Sequence, residues 1–143
     1  MIRAIEVTLA TGRPFSTWQQ KVTPDFASTL IGLRMDRDAL YRRIDDRVDG
    51  MFASGLVDEV RCLNASGYGC SLPAMGSIGY REICAYLAGD LTLGEAAARM
   101  KTETHRLARM QHTWFRLQDP RIHWLEAGAP DLLQQALASM VMN

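Results

Sequence analysis

A chain of 143 residues, 48% hydrophobic and 22% charged, is long enough for one modest core and is neither disordered nor collagen-like in composition. Sixteen Lys and Arg balance sixteen Asp and Glu, so the net field favours neither nucleic acid nor a membrane surface, and any such partner must show in local charge. No apolar run approaches the roughly 20 residues that span a bilayer, and Met1 is followed by charge rather than a signal-peptide core, so a cytoplasmic protein without membrane partners is expected.

Ile2 to Ala10 can wind as about two helical turns, which Thr11-Gly12-Arg13-Pro14 then stops. Phe15 to Gln20 begins a connection, and Pro24-Asp25 separates it from Phe26 to Arg34, which reads as a strand. Asp36 stands where an N-cap belongs, ahead of Leu40, Ile44, Val48, Met51 and Phe52 at helical spacing. A second helical run, Leu56 to Ala65, carries Leu56, Val60 and Leu63 on one side, so residues 36–66 form a helical hairpin. Residues 66 to 79 are rich in small side chains and are expected to be a structured loop that opens into a helix over Tyr80 to Ala88. Thr92-Leu93-Gly94-Glu95 is a capping box for the longest helix, 93–117. Ile122 to Leu125 reads as a short strand, and Pro130-Asp131 starts a final helix to Val141. The sum is a mainly α chain with two short strands that have no obvious partner within it.

Placing the long helix at about 100° per residue puts Arg99, Arg106, Arg109 and Arg116 in one arc with Thr113. Leu93, Met100, Leu107, Gln111, Trp114 and Phe115 lie around the other side. Segment 99–116 holds Arg99, Lys101, Arg106, Arg109 and Arg116 against Glu103 alone, a local balance of +4 in a neutral chain. Guanidinium groups pair with phosphates and stack on unpaired bases, as aromatic rings do, so the stripe suits RNA. A merely solvated face is the competing reading, and fourteen Arg against two Lys can reflect base composition alone. Ala74 to Glu82 is a second candidate, where Gly76 and Gly79 let backbone approach a ligand and Tyr80 and Arg81 supply a ring and a cation. Against it stands a plain helix entry, since the segment has neither GxGxxG context nor a GxxxxGK[ST] cradle.

Other constellations point away from chemistry. Cys62, Cys70 and Cys84 are odd in number and lack metal spacing, so they are expected as reduced, mostly buried thiols. His105, His112 and His123 have no carboxylate at a metal-binding interval, and no metal site is expected among them. Asp45, Asp46 and Asp49 interleave with Arg42, Arg43 and Arg47, which predicts a solvated face with local ion pairs. There is no GxSxG elbow and no nucleophilic cysteine context.

Three motifs then occur in an order that resembles the tRNA dimethylallyltransferases. Arg3 to Val7 with Thr11 to Ser16 is similar to the family's RALEV and TG[KR]P[IL]S stretch, Ser77 to Glu82 to its IGY[RK]E signature, and Thr104 to Arg116 to its TRxxAKRQxTWFR helix. Gly55 to Val60 also matches a GLxxEV turn, and the likeness runs over residues 1–127. The resemblance implies transfer of a dimethylallyl group from dimethylallyl diphosphate to N6 of adenine at tRNA position 37, with Mg2+ assisting the diphosphate. It implies a nucleotide-binding, P-loop-like α/β core with a helical insertion, and a monomer when complete. The family's GxTxxGK loop and catalytic aspartate are not found in this sequence, so residues 1–143 are expected to be one C-terminal portion that cannot catalyse alone and whose strands belong to a larger sheet. The Mg2+ site is expected in that other half.

Carried over position by position, the resemblance makes Arg3 a tRNA contact, Gly76, Ser77, Ile78, Gly79, Tyr80 and Arg81 a segment near the target base, and Arg109, Met110, Gln111, His112, Thr113, Trp114, Phe115 and Arg116 a third contacting segment. Arg106 joins them from the basic stripe, and Arg81 is the candidate for stabilising anionic groups at the reaction centre. Gly76 stands where the family usually has glutamine and Met110 where it usually has a basic residue. Trp114 lies on the apolar side of its helix, so core packing and RNA contact both stay open. The alternative function is a non-catalytic RNA-binding or interaction module, and a purely structural helical domain is a third.

Overall fold

The computed structural model describes residues 2–19, 26 and 28–141. Its elements are α1 (Ile2–Thr11), α2 (Phe15–Trp18), β1 (Leu30–Arg34), α3 (Arg37–Ala53), α4 (Leu56–Ala65), a 3-10 turn (Pro73–Gly76), α5 (Tyr80–Ala88), α6 (Leu93–Trp114), β2 (Ile122–Glu126) and α7 (Leu132–Val141). The chain is mainly α, as the sequence predicts, and no described helix is long and apolar enough to cross a membrane.

Local chemistry sets the helix starts. Asp36 caps α3, its carboxylate accepting from the N–H groups of Asp38 and Ala39 at 3.0 Å each. At α6 the Thr92 hydroxyl accepts from Glu95 N–H at 3.3 Å, and the Glu95 carboxylate accepts from Thr92 N–H at 2.7 Å. That backbone donor, followed by the Thr92 hydroxyl, holds the Glu95 carboxyl below its usual range. Phe15 to Trp18, expected as plain connection, makes one helical turn that Thr17 anchors through its hydroxyl to the Pro14 carbonyl at 2.7 Å. Residues 20–25 of that connection, including Pro24-Asp25, lie outside the described residues, as does Ala27.

The core lies where α3, α4, α5 and the first half of α6 meet. Val48, Leu56, Val60, Met75, Ile83 and Met100 are buried together, with Met51, Phe52, Val57, Ile78, Tyr80, Cys84 and Leu87 packed around them. Past Ala108 the apolar side of α6 is left uncovered, which limits how much of that side packs rather than where it lies around the axis. Leu107, Trp114 and Phe115 are exposed, Trp114 at 80%, so Trp114 is not a core residue. The helix also ends at Trp114 rather than Leu117, because its last turns bury no face and helices in proteins are held mainly by packing.

The two strands predicted to lack partners pair with each other. β1 and β2 run parallel in the register Leu30↔Ile122 to Arg34↔Glu126, with α3 to α6 forming the crossover that parallel strands require. β1 is shorter than the predicted Phe26 to Arg34 because its ladder ends with the five residues of β2. Arg34 and Glu126 close the register with an ion pair at 2.6 Å.

Trp124 lies across Gly32 so closely that a Cβ there would fall 2.6 Å from its ring and 2.8 Å from Ile122. Gly32→Ala is therefore expected to destabilise the fold by about 1–3 kcal/mol through overpacking. A urea midpoint equal to that of the parent protein would contradict this packing.

Two further expectations are corrected. Cys70 and Cys84 form a disulfide, and Cys62 is free and exposed rather than buried. The loop after α4 folds back on α5 and brings the two Cα atoms to 5.8 Å, inside the range a bridge needs. Asp45 and Asp49 of α3 look across to α6 rather than along their own helix, while Asp46 is exposed as expected. Asp49 accepts from Lys101 Nζ at 2.8 Å, and Asp45 Oδ1 lies 3.0 Å from His105 Nε2 outside hydrogen-bond geometry. The helices pack with those faces together, and the Asp49 contact raises the Lys101 pKa.

Candidate nucleic-acid interface

The entry to α5 is built around one glycine. Gly79 has φ +101°, a backbone state open to glycine almost alone, and a Cβ there would lie 3.1 Å from Met100 Cε. With no side chain to cap the helix, the capping is done by Glu82, whose carboxylate accepts from Gly79 N–H at 2.7 Å. Glu82 is only 3% exposed, and its other oxygen accepts from Arg81 Nε and Nη2 at 2.9 and 2.6 Å. The helix-entry reading thus holds for Gly79, which does allow close packing. It does not hold for Gly76, where a Cβ would meet nothing within 4 Å.

Each polar side chain of this segment has an internal partner. Ser77 Oγ donates to the Ala74 carbonyl at 3.1 Å. Tyr80 OH donates to Glu59 of α4, and that bond to a carboxylate raises the phenol pKa. Ile78 packs half-buried against the core. Arg81 is half exposed, and Glu82 holds its guanidinium charged, its pKa raised first by that hydrogen bond. An anion approaching Arg81 therefore competes with a buried carboxylate already in place.

Glu103 joins this segment to α6. Its Oε2 lies 3.9 Å from Arg81 Nη2 and 3.9 Å from Arg106 Nη1, so one carboxylate faces an arginine from each segment. Beyond Arg106 the helix carries Arg109, Met110, Gln111, His112, Thr113 and Trp114, and Phe115 and Arg116 follow its end, all exposed. Among the described residues Arg109 and Arg116 have no carboxylate within ion-pair distance, whereas Arg106 does. Arg109 Nη1 instead donates to Tyr41 OH at 3.4 Å.

Arg3 stands apart. It is exposed on α1, 3.6 Å from Glu6, and α1 packs on α2 rather than on the α5–α6 pair. Ser77 to Arg81 and α6 are thus brought together, and Arg3 is not. Glu59, Glu82 and Glu103 were absent from the sequence-derived site because their role is to position cations and a phenol. The readable signal was Glu82 itself, three residues after a glycine that cannot cap.

The site as a whole is a basic helix end with exposed aromatic side chains, beside a helix entry that Gly79 and Glu82 build. The family model for IPP transferase matches residues 1–118. The chain therefore belongs to the IPP transferase family. It is 48% identical over 129 residues to the tRNA dimethylallyltransferase of Geobacter metallireducens, covering 88% of this chain and 41% of that protein. It is 43% identical over all 143 residues to the enzyme of that name from Dehalococcoides mccartyi, covering 42% of it. In three dimensions it is similar to the tRNA delta(2)-isopentenylpyrophosphate transferase of Staphylococcus epidermidis, with a TM-score of 0.74 at 30% identity over 99% of this chain and 47% of that one. The Bacillus halodurans tRNA isopentenylpyrophosphate transferase gives a TM-score of 0.69 at 34% identity over 43% of its length. The chain thus spans less than half the length of each of these proteins.

Proposed function

We propose that this chain supplies the tRNA-contacting part of a tRNA dimethylallyltransferase, the enzyme that moves a dimethylallyl group from dimethylallyl diphosphate to N6 of adenine 37. In that reaction the N6–carbon bond forms, the allylic carbon–oxygen bond to diphosphate breaks, and N6 gives up a proton. The departing charge calls for cations and the amine for a base. The observation that carries the reading is the meeting of Arg81 and Arg106 at Glu103. It makes the Ser77–Glu82 segment and the cationic end of α6 one continuous surface.

On that surface the residues divide by role. Arg109 and Arg116 hold backbone phosphates, Gln111 and Thr113 make polar contacts, and Trp114 and Phe115 offer faces on which unpaired bases stack. Arg81 presents a fixed cation toward the reaction centre, oriented by Glu82. No three His, Cys, Asp or Glu side chains gather around one point among the described residues, and no step here runs through Mg2+. The RNA segment this surface fits is an anticodon stem-loop, whose splayed loop bases are free to stack.

The test is binding of the folded chain to an anticodon stem-loop with adenines at positions 36 to 38, against a hairpin with a scrambled loop, across a salt series. Loop-dependent binding that weakens with salt is expected. Replacing Arg106, Arg109 and Arg116 together by glutamine should lower the log–log salt slope by roughly 2 to 3. Equal binding to both hairpins, or none by a folded chain, would overturn the reading.

A further inference from the structure

None of the segments read as RNA contacts includes α3, yet the first two turns of α3 meet the cationic end of α6 at one aromatic residue. The Tyr41 ring lies parallel to the His105 imidazole, centroids 4.1 Å apart and planes 8° off. The Arg37 guanidinium sits over the Tyr41 ring, 5.2 Å from its centroid, and Arg109 donates to the phenol oxygen at 3.4 Å. Arg37, Tyr41, Arg109 and His112 line a cavity of about 290 Å3 with Leu40 and Ala108.

The charge around this cavity is unbalanced. Among the described residues neither Arg37 nor Arg109 has a carboxylate within ion-pair distance. Of the acids of α3 nearby, Asp36 caps the helix backbone, Asp45 Oδ1 lies 3.0 Å from His105 Nε2 without a hydrogen bond, and Asp38 in the first turn pairs with neither arginine. Two like charges held around one phenol repel each other, and an anion between them relieves that repulsion. The phenol oxygen already accepts from Arg109, so its own proton is left for an incoming oxygen. The two guanidiniums also make it a stronger donor, holding its pKa below the ordinary 10.0, with Arg109 the larger influence. Leu40 and Ala108 form an apolar wall against which a sugar can lie.

We propose that Arg37, Tyr41 and Arg109, with His112 at the rim, hold one backbone phosphate of RNA bound along α6. The assignment rests on the RNA-binding reading above and extends the surface to a second helix. A phosphodiester fits better than a free small anion, because the pocket is open and continuous with the exposed stripe that ends at Arg116.

The test uses the full chain and the same stem-loop, with Arg37→Gln, Tyr41→Phe and, as control, Arg42→Gln, which removes an equal charge about 140° further round α3. Arg37→Gln is expected to weaken binding roughly tenfold at low salt and to lower the salt slope by about 1. Tyr41→Phe should weaken it about threefold with the slope unchanged, as a lost neutral hydrogen bond would. Arg42→Gln should change neither by a comparable amount, and all three should melt with the parent. If Arg37→Gln matches Arg42→Gln while the parent binds RNA, the pocket assignment falls and the RNA reading stands. If the folded parent binds no stem-loop, both fall. A third arm titrates inorganic phosphate alone and follows the side-chain N–H signals of Arg37 and Arg109 by NMR. Saturation at micromolar phosphate, with RNA affinity insensitive to Arg37→Gln, would make this a small-anion site and overturn the proposal.

Discussion

Ile83→Ala is expected to lower the unfolding free energy by about 3 kcal/mol, within the range of 2–5 found for such truncations. Ile83 is fully buried, one turn into α5, in the cluster that holds α3, α4 and α6 together. Removing three carbons deletes their contacts and leaves a void beside Met75 and Met100. Methionine is flexible enough to close part of that void, which keeps the loss below the top of the range. Ile83→Val removes one carbon and should cost about 1 kcal/mol. Urea unfolding followed by circular dichroism would show a shifted midpoint at constant slope. A loss under about 1 kcal/mol for the alanine variant would mean that α5 is anchored elsewhere. RNA affinity should fall mainly as the folded fraction falls, because the Ile83 side chain is fully buried.

Reduction of the Cys70–Cys84 bridge should be about as costly. The bond closes a ring over a separation of 14 residues, for which the chain-entropy argument gives roughly 3 kcal/mol. That ring encloses the 3-10 turn and the Gly79 entry to α5, so its loss should also raise amide exchange from Ser71 to Tyr80 more than in α3. In the non-reduced protein a thiol reagent should find one reactive group, Cys62, and after reduction three. Three reactive thiols before reduction would contradict the bridge. The double variant Cys70→Ser/Cys84→Ser should melt with the reduced protein rather than the oxidised one.

Much of the local structure was written in short stretches of sequence. The Asp36 cap, the Thr92 and Glu95 box and the helix starts they govern depend on atoms within four residues, so reading the chain in order suffices to find them. The same holds for the motifs that place the chain in its family, since a resemblance is itself a pattern of residues. The basic stripe of α6 was legible in part: helical geometry places Arg99, Arg106 and Arg109 on one side, whereas Arg116 lies past the end of the helix at Trp114.

What failed to show was whatever depends on where distant segments come to rest. The strands seemed partnerless because residues 30 and 122 are brought together only by the four-helix crossover between them. Cys70 and Cys84 read as separate thiols because their pairing depends on a loop returning to α5. The pairs joining Asp49 to Lys101 and Arg109 to Tyr41 have sequence separations of 52 and 68, and no helical periodicity relates them. The apolar side of α6 was placed correctly around its axis, yet only the packed structure decided that its first half would be covered and Trp114 left bare. Sequence by itself determined the longer helices, the caps of α3 and α6 and the family, because those follow from covalent neighbours. Tertiary structure decided which charges are paired and which are left for a ligand, because Coulomb energy depends on distance in space and the surrounding dielectric rather than on order along the chain.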